Sequence, residues 1–141
     1  MSTAITEQEE NAAEGRFTEV FQRAKALTNV EVANILSKLT QAKKQDDPSY
    51  QPNPMLVKTQ EYASRFSTTK SEAANNQMRT ILEVGGLSSF EAACMVNLLP
   101  ESAEEAKSLI PSLDMDVGGA GQLADEVVQG MLDEMAPYKQ A

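Results

Sequence analysis

Hydrophobic residues recur every three or four positions along this chain, which is the spacing of one face of an α-helix. The first such stripe consists of Phe17, Val20, Phe21, Ala24 and Leu27. It predicts either a short helix or an extended arm.

Thr28 and Glu31 then have the spacing of a capping box, which predicts the start of a helix. The apolar stripe of that helix consists of Val32, Ile35, Leu36 and Leu39. The helix should fade near Lys43, before a loop that contains three prolines.

A second helix is predicted after this loop, because four residues there are spaced by four, three and four positions. They are Met55, Thr59, Tyr62 and Phe66. The helix should end near Ser67. Two interpretations are open for Tyr62 and Phe66, since exposed aromatic side chains stack on nucleic-acid bases. We favour a place in the core, because aromatic residues at helical spacing usually lie there.

Three shorter helices are predicted between residues 71 and 113. Ser71 is a good N-cap for the first of them, and Gly85 with Gly86 supplies its stop. Two further capping boxes pair Ser88 with Glu91 and Ser102 with Glu105. The third helix should end at Ile110, because a residue that precedes proline avoids the helical region.

The chain divides into four predicted segments. Residues 1–16 are polar and should form a disordered acidic tail, and residues 17–113 should form the arm plus a helical domain. Residues 114–121 are a Gly-rich linker, and residues 122–136 are a tethered amphipathic C-terminal helix. The apolar face of that helix consists of Leu123, Val127, Val128, Met131, Leu132 and Met135. Periodicity leaves open whether this face packs on the domain or on a partner.

The expected fold class is all-α, because no segment alternates apolar and polar residues as a strand does. Aromatic residues make up only 5% of the chain and Trp is absent, so the core should be aliphatic with Met residues filling gaps. The net charge of −9 disfavours direct, tight binding of DNA or RNA. The lone Cys94 should be buried and inert, and it fits a reducing compartment.

The residue types needed for catalysis are largely missing. The chain has no His, which removes the commonest general base and metal ligand. Its adjacent carboxylates are best interpreted as solvated or as complements to helix dipoles. Its Gly-rich segments lack the context of a phosphate-binding loop. No stretch is long and apolar enough to span a membrane. We therefore predict no catalytic, cofactor or metal site, and a protein that works by docking against another protein.

Three segments in tight order resemble the subunit 4 family of eukaryotic RNA polymerase II. Their sequences are YASRFS (62–67), FEAACMVNLLPESAEE (90–105) and LIPSL (109–113). The longest ungapped match runs from residue 97 to residue 113, and further likeness lies at residues 24–32 and 129–135. The resemblance extends over residues 17–135.

This resemblance implies a compact helical bundle like the helicase-and-RNase-D C-terminal (HRDC-like) fold. It also implies a non-catalytic nuclear subunit that pairs with RNA polymerase subunit 7 in a stalk on the polymerase core. That stalk would support transcription initiation and clamp closure, and nucleic acid would be contacted mainly through the partner. By the same resemblance, the residues expected at the partner interface are Phe21, Ala24, Leu27, Val32, Leu36, Leu98, Leu99 and Pro100.

Two other functions are open. Helical domains of similar fold bind DNA or RNA on their own, although the charge of −9 argues against such a free-standing module here. The chain could also be the equivalent subunit of a paralogous nuclear RNA polymerase.

Overall fold

Helices make up the ordered framework of the computed structural model, which describes residues 9–114 and 122–139. The α-helices are α1 (Glu19–Arg23), α2 (Asn29–Asp46), α3 (Pro54–Arg65), α4 (Glu72–Val84), α5 (Ser89–Leu98), α6 (Ala103–Leu109) and α7 (Asp125–Met135). Short 3-10 turns lie at Ala12–Glu14, Pro111–Asp114 and Ala136–Tyr138. The described ranges contain no β-strand, and the predicted all-α class is confirmed.

The predicted helix starts are confirmed by their caps. The hydroxyls of Thr28 and Ser88 each accept a hydrogen bond from the backbone N–H three residues later, and the Glu carboxylate at that position accepts one from the backbone N–H of Thr28 or Ser88, so both capping boxes are complete. The Ser71 hydroxyl caps α4 by accepting from the Ala74 N–H. Ser102 caps α6, but the Glu105 carboxylate accepts from the Glu101 N–H instead, so this third box is only half formed.

The Gly85-Gly86 pair ends α4 as predicted. Gly86 adopts a φ of 99°, a left-handed conformation that glycine tolerates better than any other residue. The N–H of Leu87 donates to the carbonyl of Leu82, and that of Gly86 donates to Glu83. These bonds form a Schellman motif, and the buried side chains of Leu82 and Leu87 pack in the same core. The chain therefore turns back on itself immediately before α5.

The core lies between α4, α5, α6 and α7 and is built from aliphatic residues and methionines. Its fully buried side chains include Met78, Leu82, Met95, Val96, Leu113, Val128 and Met135. Most of the apolar face of α7 thus packs on the domain, although Val127 of that face is 48% exposed. Polar contacts hold α7 as well, since Gln129 accepts from the Ala103 N–H and Lys107 pairs with Asp125 at 2.7 Å. Residues 115–121 of the predicted Gly-rich linker lie outside the described residues.

Residues 9–16, which the sequence assigns to the acidic tail, form a closed turn. The Asn11 N–H donates to the Arg16 carbonyl at 2.9 Å, and the Asn11 side chain accepts from the Ala13 N–H. This turn packs beside the 3-10 turn at Pro111–Asp114. Residues 1–8 of the predicted tail lie outside the described residues.

The apolar stripe of α3 faces outward, so the prediction that its aromatic residues belong to the core is wrong. Met55, Tyr62 and Phe66 are 76%, 61% and 50% exposed, whereas Ala63, which borders this stripe, is 2% exposed. The reason is that α3 packs mainly against α2 and only its narrow Ala63 side is covered. Periodicity identified an amphipathic helix here, but it could not show which side a neighbour covers.

Candidate partner interface

A buried arginine joins the arm to the helical domain. Arg79 in α4 is only 4% exposed, and one of its guanidinium nitrogens donates to the Ala26 carbonyl at 2.6 Å and to the Glu31 carboxylate at 2.7 Å. The other terminal nitrogen donates to the Ser89 hydroxyl at 3.0 Å and to the Glu83 carboxylate at 2.9 Å. Four partners from the arm, α2, α4 and α5 thus converge on one side chain.

Glu31 completes this network from the start of α2. Its carboxylate accepts from the Thr28 N–H and also pairs with Lys25 at 3.2 Å. Burial raises the pKa of Glu31, but the hydrogen bond from Thr28 and the charge of Arg79 together outweigh it, so the pKa lies below its ordinary value of 4.5. The carboxylate is therefore ionised at neutral pH, which is the form that Arg79 requires.

An aromatic cluster holds the N-terminal half of the arm. The ring of Phe17 lies 4.8 Å from the rings of both Phe21 and Phe90, centroid to centroid, and the Phe90 contact is edge to face. Further along the arm, the Ala26 N–H donates to the Ser89 hydroxyl at 2.8 Å. The arm therefore crosses the first turn of α5.

A cavity of about 260 Å³ lies under this crossing. Phe17, Phe21 and Phe90 form part of its wall, and the buried Glu91 and Ser112 lie at its polar side. The Ser112 hydroxyl donates to the Glu91 carboxylate at 2.8 Å. The hydroxyl and the carboxylate are thus paired with each other, and the rest of the wall combines the phenylalanines with the polar residues Gln22, Ser88 and Ser89.

The end of α5 meets the start of α2 through asparagines. The Asn29 N–H donates to the Asn97 side chain at 2.9 Å, and the Asn29 side chain donates to the Phe66 carbonyl at 3.4 Å. Leu27 and Leu98 flank these residues in sequence, and they are 41% and 51% exposed. The structure therefore brings two exposed leucines from distant parts of the chain to one surface region.

The predicted interface residues differ in their exposure. Those that are exposed are Phe21, Ala24, Leu27 and Leu98, and those that are half-buried are Val32, Leu36 and Leu99. Leu99 ends α5 in a left-handed conformation with a φ of 42° and packs against the core. Pro100 is fully buried, so it supports the neighbouring surface from within and offers a partner no contact area in this conformation. The role of these eight residues at an interface stays a prediction.

Arg79 was not predicted from the sequence, although a signal for it is present there. Asn75, Arg79 and Leu82 are four and three positions apart, so they share one face of α4. All three are buried, and the Asn75 side chain accepts from the Thr28 hydroxyl at 2.8 Å. An Arg on a helix face with a core leucine indicates a buried ion pair. Its partner was not identifiable, since Glu31 lies 48 positions away.

The chemistry around the remaining titratable groups is limited. Cys94 is half-buried, and burial together with the Glu91 carboxylate raises the pKa of its thiol above 9.0. Among residues 9–114 and 122–139, no three His, Cys, Asp or Glu residues cluster as metal ligands. In the same ranges, no helix has the length and hydropathy needed to cross a membrane.

Comparison with known proteins assigns the chain to a family. The family model described as RNA polymerase Rpb4 matches residues 26–139. DNA-directed RNA polymerase II subunit 4 of Arabidopsis thaliana is 38% identical, with 94% of this chain and 96% of that protein aligned. Subunit rpb4 of Dictyostelium discoideum is 32% identical, with coverage of 92% and 89%, and that of Schizosaccharomyces pombe is also 32% identical, with 93% of each chain aligned. This chain is therefore a member of the RNA polymerase Rpb4 family.

Proposed function

We propose that this chain is a non-catalytic subunit of nuclear RNA polymerase II that pairs with subunit 7 to form the stalk. Family membership and the names of its relatives support the assignment to this polymerase rather than to a paralogous one. In that stalk the chain supports transcription initiation and clamp closure, and subunit 7 makes most of the contacts with nucleic acid.

The observation that carries the pairing is the exposed apolar surface beside a firmly held arm. Leu27 and Leu98 are about half exposed where α2 and α5 meet, and the arm next to them is fixed by Arg79. When a partner covers exposed leucines, the free energy of binding becomes more favourable by roughly 25 cal/mol for each Å² of apolar surface removed from water. An arm that is already ordered loses little entropy on binding, which favours affinity.

The half-buried Val32 and Leu36 extend this surface along α2. The same helix carries Ile35 and Leu39, which are 50% and 41% exposed. A partner seated on the arm and the first half of α2 would cover all of these side chains. Interfaces of this kind have an apolar centre with a polar rim.

Co-expression with a subunit 7 homologue tests the proposal. Size-exclusion chromatography at micromolar concentration should give one peak that contains both chains at equal amounts. The double variant Leu27→Asp/Leu98→Asp should dissociate this complex, because it places two charges in the centre of the buried surface. Val127→Asp is the matched control, since Val127 is 48% exposed on α7 and lies outside the predicted interface.

Separate elution of the two wild-type chains would contradict the pairing. Equal binding by the double variant and by Val127→Asp would contradict the location of the interface while leaving the pairing intact. Removing residues 1–24 should also weaken the complex, because it deletes most of the arm but keeps Ala26 and the Thr28 cap of α2. Mass spectrometry of the proteins that copurify with the chain then identifies which polymerase's largest subunit accompanies it.

A further inference from the structure

The outer side of α3 interleaves cationic and aromatic side chains. Lys58, Tyr62 and Arg65 are four and three positions apart, so they share one helix face with the exposed Glu61, and Phe66 adjoins them. We call Lys58, Tyr62, Arg65 and Phe66 the basic–aromatic face. All four are exposed, and the rings of Tyr62 and Phe66 lie 4.7 Å apart, centroid to centroid. The Arg65 guanidinium carbon lies 5.8 Å from the centre of the Phe66 ring.

The charge around this face is opposite in sign to that of the whole protein. Between residues 29 and 70, from the start of α2, the chain has six Lys or Arg residues and four Asp or Glu residues, which gives a local charge of +2 in a chain of −9. The basic–aromatic face thus lies in the region that attracts anions, although the molecule as a whole repels them.

Five of the six cations of this region form no ion pair with a described carboxylate, which distinguishes them from most other cations of the described ranges. Of the six between residues 29 and 70, only Lys38 lies within 4.0 Å of a described carboxylate, that of Glu72. Elsewhere in the described ranges most cations are paired, namely Arg16, Arg23, Lys25, Arg79 and Lys107. The unpaired positive charge is therefore concentrated on α2, on α3 and on the residues that directly follow α3.

We propose that the basic–aromatic face binds single-stranded nucleic acid. Bases would stack on Tyr62 and Phe66, and the backbone phosphates would pair with Lys58 and Arg65. Exposed aromatic rings between unpaired cations are the arrangement that binds single strands without sequence preference, because every base has a π-face and every phosphate a charge. An acidic protein partner would pair with the cations, but it would leave the two adjacent exposed rings without a stacking partner.

The affinity should be weak and sensitive to salt. Only two cations of the face itself pair with phosphate, and the net charge of −9 opposes the approach of a polyanion. Binding of this kind adds a local contact for a strand that the assembled complex already holds nearby. It is independent of the pairing with subunit 7, since α3 carries none of the predicted interface residues.

Fluorescence anisotropy of a labelled twelve-nucleotide oligouridine tests the proposal with the full-length chain. At low salt we expect a Kd on the order of 10–100 µM. Tyr62→Ala should weaken binding by about five- to a hundredfold, and Tyr62→Phe should retain it because the ring is kept. Lys58→Gln/Arg65→Gln should lower the slope of log K against log salt by about 1.4, as expected for two single-strand phosphate contacts.

The matched control is Arg23→Gln/Lys139→Gln, which changes the net charge equally at one exposed and one half-buried position outside α2 and α3. It should bind the strand like the wild type. An equal loss in the control, or no change with Tyr62→Ala, would overturn the proposal, as would binding of poly-glutamate with the same dependence on Tyr62. Thermal unfolding followed by circular dichroism verifies that each variant is folded, and co-elution with subunit 7 shows that the pairing is unaffected.

Discussion

The guanidinium of Arg79 donates to the carboxylate of Glu31 at 2.7 Å, although 48 positions separate the two residues in the chain. Arg79 belongs to α4 of the core, whereas Glu31 lies in the first turn of α2, directly after the arm. This pair and the bond from Arg79 to the Ala26 carbonyl fix the arm against the bundle. The arm and the start of α2, where we propose that subunit 7 binds, are therefore held in place by a side chain from the core.

Replacing the buried arginine should destabilise the protein strongly. Arg79→Met keeps an unbranched apolar stem but leaves Glu31 and the Ala26 carbonyl without their main partner. We expect the free energy of unfolding to fall by about 3 kcal/mol, as measured by urea denaturation. Arg23→Met is the control, because the ion pair of Arg23 is exposed and should contribute under about 1 kcal/mol. Equal effects of the two substitutions would show that the network does not stabilise the fold.

The same network predicts a pH dependence of stability. The pKa of Glu31 is lowered in the folded protein, so above about pH 4.5 its ionised carboxylate contributes its full stabilisation. As the pH falls through the folded pKa, the unfolded chain has already bound the proton and this contribution is lost. Glu31→Gln should therefore reduce stability at pH 7 and flatten the decline below pH 4.5. Glu104→Gln, which removes an exposed carboxylate, serves as the control in the same urea titrations at several pH values.

Local signals in the sequence predicted helix boundaries well, because a cap is made by residues within three or four positions of each other. Thr28, Ser71 and Ser88 are examples. Long-range relationships were not accessible in this way. The sequence showed that α3 is amphipathic but not that Tyr62 faces solvent, since that depends on which element lies against it. The contact of Arg79 with the arm was missed for the same reason.

Two glycines should respond in opposite directions to alanine. A Cβ at Gly130 would have no atom within 4 Å, and this position is in the interior of α7, so Gly130→Ala should stabilise the protein by up to about 1 kcal/mol. A Cβ at Gly85 would lie 2.5 Å from the sulfur of Met131, which is itself buried. Gly85→Ala should therefore lower the melting temperature, while Gly130→Ala raises it. A shift of the same sign in both variants would contradict the packing of α7 against the end of α4.

The thiol of Cys94 should react slowly in the native protein. Burial and the nearby Glu91 carboxylate raise its pKa, so little thiolate is present at pH 8, and the thiolate is the reactive form. We expect alkylation by iodoacetamide to be at least about tenfold slower than in the same protein unfolded in urea, corrected for the reaction of a small thiol in each solvent. Mass spectrometry measures the rate. Equal rates in the two states would show that Cys94 is accessible, contrary to its half-buried position.

Loosening the aromatic cluster should release the arm without unfolding the bundle. Phe17→Ala removes the ring that contacts both Phe21 and Phe90, whereas the core between α4 and α7 contains none of these residues. Hydrogen exchange should therefore become faster in residues 17–24 and stay unchanged in α4 and α5. Phe66→Ala, which removes an exposed ring outside the arm, should leave exchange in the arm unchanged. The complex of Phe17→Ala with subunit 7 should also be weaker, because binding must then restore order that the wild-type arm already has. Unchanged exchange in residues 17–24 would show that the aromatic cluster does not hold the arm.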